Sequence, residues 1–90
     1  MARITQLVLD ILKPHHPPLP EFTRQLAELH AGLRVTAEVV EIDDRTATLS
    51  VLCEGENIDL EMITEAISDM GGSLHSIDKV QVINDNSKHG

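Results

Sequence analysis

Asp10, Glu54 and His75 are the side chains in this chain best suited to chemistry together. Two carboxylates and an imidazole can ligate a divalent cation, and the carboxylates alone suit a hard one. Lys13, His15 and Asp78 lie within a few positions of them and extend the set to one that could hold a small polar ligand. Asp10 with His75 could also exchange a proton as base and acid. The spacing is not that of a helical zinc motif or a cysteine-based site, so the grouping depends on strand adjacency. The bland alternative is that Asp10 and Glu54 face water or pair with Lys13 and Arg34.

Such a meeting requires particular elements. Leu7, Leu9 and Ile11 alternate with Gln6, Val8 and Asp10, which predicts a strand over residues 4 to 12. Lys13-Pro14 ends it, and His15-His16-Pro17-Pro18 reads as a stiff connector. Pro20 suits the first turn of a helix running to about His30, with Leu19, Phe22, Leu26 and Leu29 as its apolar stripe. Residues 33 to 42 read as a second strand, Asp43-Asp44-Arg45 as a hairpin loop, and 46 to 54 as a third strand. Asn57 is the expected cap of a second helix, with Asp59 and Glu61 in its first turn and Ile63, Ala66, Ile67 and Met70 on its apolar face. Gly71-Gly72 ends it, and a last strand covers about 73 to 82.

Strand, helix, strand is therefore written twice, and the order is β-α-β-β-α-β. Right-handed crossovers place both helices on one face of a four-stranded antiparallel sheet of order 4-1-3-2, an α+β ferredoxin-like sandwich. Residues 1–82 form one domain, and 83–90 are a polar tail expected to fray. Taking the first and third strands as parallel neighbours sets Asp10 and Glu54 at the same end of the sheet. The last strand begins beside them, bringing His75 to the same corner. The expected metal ligands are thus Asp10, Glu54 and His75, and the ligand-binding set adds Lys13 and Asp78. A bulge would be needed to turn Asp78 inward.

Composition limits the partners. The chain has 90 residues, 15 acidic against 7 basic, a net charge of −8, and neither Trp nor Tyr. Acidity repels phosphate backbones and there are no aromatic stacking platforms, so nucleic acid is an unsuitable partner. No apolar run is long enough to span a membrane, and no signal peptide is visible, so a soluble cytoplasmic protein is expected. Cys53 cannot form an internal disulfide and falls on the inward side of its strand. Two edge strands on a small aliphatic domain favour self-association. Ser50, Ser73 and Ser76 lack a nucleophile elbow, and no glycine-rich phosphate loop follows a strand, which argues against an enzyme.

Four strings, Leu-Val-Leu-Asp-Ile-Leu-Lys-Pro-His (7–15), Glu-Ile-Asp (41–43), Glu-Gly-Glu-Asn-Ile-Asp (54–59) and His-Ser-Ile-Asp (75–78), resemble an uncharacterised, mainly archaeal family, domain of unknown function number 211. The resemblance covers about residues 3 to 82. It implies a ferredoxin-like fold, a stand-alone protein that tends to form oligomers, and no established activity. Its motifs fall on Asp10, Lys13, Pro14, Glu41, Asp43, Glu54, Gly55, Asn57, Asp59, His75, Ser76 and Asp78, with no catalytic roles attached. The functional expectation is an oligomeric, non-enzymatic binding or regulatory module, with a divalent cation as the one candidate cofactor. The alternatives are an assembly protein without ligand, and an enzyme using Asp10 and His75.

Overall fold

The alternation that writes β1 produces a long central strand. The computed structural model describes residues 1–84, in the order β1 (Ala2–Pro14), α1 (Leu19–Ala27), β2 (Arg34–Ile42), β3 (Thr46–Glu54), α2 (Leu60–Asp69) and β4 (Ser73–Asn84). The sheet order is β2-β3-β1-β4 and every neighbouring pair is antiparallel. This is the expected ferredoxin-like α+β fold. The last strand runs two residues further than expected, and the remainder of the anticipated tail, 85–90, lies outside the described residues.

One expectation fails here. β1 and β3 are not parallel: Gln6 faces Glu54, Asp10 faces Ser50 and Leu12 faces Thr48. The topology requires this. The crossover through α1 leaves β2 parallel to β1, and the Asp43–Arg45 hairpin reverses the chain, so β3 must run against both.

Leu7, Leu9 and Ile11 from β1, Leu49, Val51 and Cys53 from β3, Phe22 and Leu26 from α1, and Ile63 and Ile67 from α2 are all at most 2% exposed. They form one aliphatic core with Phe22 as its single ring. Burying each large apolar side chain is worth about 1.5–3 kcal/mol, so this layer holds the fold. The helices span only about 15 Å, whereas β1 spans about 44 Å, so they cover the middle of the sheet. The molecule measures 56 × 22 × 17 Å.

Local chemistry sets the element ends. Glu21 receives hydrogen bonds from Arg24 and Gln25 on the surface of α1. Asp59, not Asn57, caps α2: its carboxylate accepts from Met62 N at 3.1 Å. The reason is positional, since α2 starts at Leu60, later than the apolar pattern suggested. Asp43 accepts from the backbone N–H groups of Thr46 and Arg45 and from the Thr46 hydroxyl, which closes the β2–β3 hairpin. Those bonds hold its carboxyl below the usual range, the Thr46 amide foremost. His15 reaches the same loop, donating through Nε2 to Asp43 O at 2.9 Å.

Between α2 and β4 the chain passes close to β1. Gly71 has φ +85°, and a Cβ there would meet Pro14 Cγ at 3.3 Å. At Gly72 an added Cβ would lie 3.1 Å from both Leu12 O and Ile67 Cγ2. Gly71→Ala is expected to lower stability by about 1–2 kcal/mol, read from chemical denaturation, because an L-residue is strained in the left-handed region. An unchanged midpoint would show that this turn is not held at that geometry.

Burial pushes the Cys53 thiol up to about 11 from a usual 9.0. The unfolded chain loses this proton first, so the thiol's contribution is full below pH 9 and disappears as pH rises to about 11. Lys13 acts oppositely: its lowered value means stability gained as pH approaches 10.5. The stability of the wild type relative to Cys53→Ala should therefore fall by roughly 2–3 kcal/mol across that alkaline window. Parallel stability profiles for the two proteins would rule out the buried thiol as the source.

Candidate functional site

Parity along β1 decides which side chains can share a site. Leu7, Leu9 and Ile11 face the helices, so Gln6, Val8, Asp10 and Leu12 occupy the open sheet face. On β3 the open face carries Thr48, Ser50, Leu52 and Glu54. Asp10 lies between Ser50 of β3 and Ser76 of β4. A register shift between Asp10 and Ile11 leaves His75 as an extra residue of β4, and the bulge brings it beside Asp10. Asp10, Leu12, Thr48 and His75 together wall a groove of about 240 Å³ on the open face.

The structure thus brings together two of the expected residues, Asp10 and His75, and separates the others. Glu54 stands opposite Gln6, four positions from Asp10, which is about 13 Å along the strand. It accepts from Gln6 Nε2 at 3.3 Å and lies 3.8 Å from Arg34 Nη1. The metal set Asp10, Glu54 and His75 is therefore not assembled, because β3 runs opposite to the direction assumed for it. Among the described residues no three His, Cys, Asp or Glu side chains converge as a metal cluster.

Lys13 also leaves the set. Its odd position puts it on the helix-facing side, where it is 3% exposed. Its Nζ donates to Pro14 O at 2.7 Å and lies 5.7 Å from the centre of the Phe22 ring. Burial lowers its pKa, and the aromatic face offsets part of the cost of keeping a cation there. Asp78 does sit at a bulge, being the extra residue between Ile77, opposite Leu9, and Lys79, opposite Val8. Its carboxylate accepts from Ser76 Oγ at 2.8 Å and is not part of the groove wall.

Leu12 and Thr48 are groove residues that the sequence reading did not assign to the site. Their outward parity is legible in the sequence, but only the antiparallel register places Leu12 directly opposite Thr48, two residues along β1 from Asp10. A second hollow lies where the end of α1 meets the turn into α2, between Leu29, Leu33, Ile58 and Ile63. At about 20 Å³ it has room for one water and admits no ligand.

The register is open to direct test. Gln6→Cys with Glu54→Cys should form an intramolecular disulfide on mild oxidation, since facing antiparallel residues sit within disulfide range. Asp10→Cys with Glu54→Cys should not. The reverse pattern would restore the parallel arrangement and the three-residue site.

Among the described residues no helix is long and apolar enough to cross a membrane. The family model described as uncharacterized ArCR, DUF211, matches residues 5–86. The chain is also 42% identical over 80 residues to the uncharacterized protein MJ0319 of Methanocaldococcus jannaschii, an alignment covering 89% of this chain and 82% of that protein. With the family match running over nearly the whole sandwich, β1 to β4 and both helices, this chain belongs to the DUF211 family.

Proposed function

We propose that this protein is a small, non-enzymatic binding module that works as a homo-oligomer in the cytoplasm and takes a divalent cation, or a polar ligand of similar size, in the open-face groove. The observation that supports this reading is the shared groove of Asp10 and His75, with the Thr48 hydroxyl in the same wall. A carboxylate, an imidazole and a hydroxyl are hydrogen-bonding and metal-ligating groups, and Leu12 gives the groove an apolar side. Two ionisable ligands are too few to enclose a cation, so a bound ion keeps part of its water shell. The groove lies on an open sheet face, which exposes it to bulk water and does not favour catalysis. Nucleic acid and membranes remain unsuitable partners for a chain of net charge −8.

Calorimetric titration with Ca²⁺, Mg²⁺, Mn²⁺ and Zn²⁺ tests this. An imidazole in the ligand set favours Zn²⁺ over Ca²⁺. Binding should weaken by about tenfold or more in Asp10→Asn and in His75→Ala, each lost ligand being worth at least about 1.4 kcal/mol. Glu54→Gln should bind as the wild type does. Absence of heat with all four ions, or equal loss in Glu54→Gln, would remove the cation reading.

A further inference from the structure

β4 is an edge strand, and the middle of it is chemically complementary to its own reverse. Ser76-Ile77-Asp78-Lys79-Val80-Gln81 runs polar, β-branched, acid, base, β-branched, polar. Its midpoint, between Asp78 and Lys79, is also the midpoint of β4, Ser73–Asn84. We propose that this segment is a self-complementary contact, at which a second copy of the chain adds its own β4 antiparallel about a two-fold axis between Asp78 and Lys79. The proposal rests on the self-association in the reading above and not on its ligand.

The faces match in that register. Asp78 of one copy meets Lys79 of the other, twice, and Ile77 meets Val80, twice. Facing residues of an antiparallel pair share a side of the sheet. Ile77 pairs with Leu9 and Val80 with Leu7, both core residues, so Ile77 and Val80 lie on the helix-facing side. They are nevertheless 44% and 51% exposed, because the helices are short and leave the outer flank of β4 bare. Lys79 pairs with Val8, and Ser76 with Asp10, on the open side; Asp78 is hydrogen-bonded to Ser76. Pairing two copies extends one sheet to eight strands with all the helices on the same face.

Charge explains why the occupant is a second copy. A bulge and a lysine normally protect an edge strand from indiscriminate pairing. An arbitrary strand would leave Lys79 and Asp78 facing nothing of opposite sign, whereas the inverted copy satisfies both at once. The other edge strand lacks this property. β2, Arg34–Ile42, has Glu38 at its centre, so its antiparallel self-pairing sets Glu38 against Glu38. Two short strand segments make a contact at the small end of interface sizes, so the dimer should dissociate on dilution.

Sedimentation velocity over a concentration series up to about 200 µM reads this equilibrium. Asp78→Lys creates lysine against lysine and should weaken dimerisation by about tenfold or more, as should Lys79→Asp. The double exchange, Asp78→Lys with Lys79→Asp, regenerates both pairs across the axis and should restore it. Far-ultraviolet dichroism and melting of each variant separate lost assembly from lost folding. As an independent measurement, Ile77→Cys with Val80→Cys should give a disulfide-linked dimer on oxidation, with each single variant failing to do so. The buried Cys53 stays outside that chemistry.

A monomeric wild type throughout, or a double exchange no better than the singles, overturns the proposal. So does an oligomer in which Ile77→Cys with Val80→Cys forms no crosslink, which would move the contact to β2 or to the open face. None of these results bears on cation titration, so the groove and the edge contact stand or fall separately.

Discussion

The antiparallel pairing of β1 on both of its sides is the constraint on which everything else rests. β1 is hydrogen-bonded to β3 along Gln6–Pro14 and to β4 along Ala2–Leu12, and three of its side chains are fully buried beneath the helices. A shift of one residue would turn Leu7, Leu9 and Ile11 toward water and Asp10 into the core, losing about 1.5–3 kcal/mol of burial at each apolar position. The register is therefore not free to move. Asp10 must lie on the open face, between Ser50 and Ser76, and the bulge in β4 then sets His75 beside it.

Lys13 shows how the same strand handles a residue that breaks its pattern. It occupies an inward position at the end of β1 and, among the described residues, is buried without a carboxylate partner. A backbone carbonyl and the face of Phe22 take the place of a counter-charge. Burial favours the neutral amine and lowers the pKa, so this group is a cost to the fold and not one of its ion pairs. The exposed pairs contribute little beside it. Arg34 with Glu54 at 3.8 Å is a solvent-screened contact of the kind worth well under about 1 kcal/mol.

The edges of the sheet follow from a mismatch of lengths. Helices of 9 and 10 residues cannot cover strands of 13 and 12. The apolar flanks left over on β4 and β2, such as Val82 at 52% and Ile42 at 65% exposed, are what a longer helix would have buried. The uneven coverage leaves the open face polar enough for water while the rims of the helix face stay partly apolar. Binding and assembly thus draw on different parts of one sheet.

The composition and periodicity of the chain determined its elements, their order and its core. Alternation at Leu7, Leu9 and Ile11 and the helical stripe from Phe22 to Leu26 are local patterns, and burial follows from them directly. The sequence also showed that Asp10 and Glu54 take outward positions. Only the tertiary structure decided which outward residues are neighbours. That depends on strand direction and register, which β3 inherits from the crossover and the hairpin before it, and on bulges at His75 and Asp78 that no local pattern signals. Lys13 belongs to the same class, because whether an inward lysine finds water or a ring depends on where α1 places Phe22.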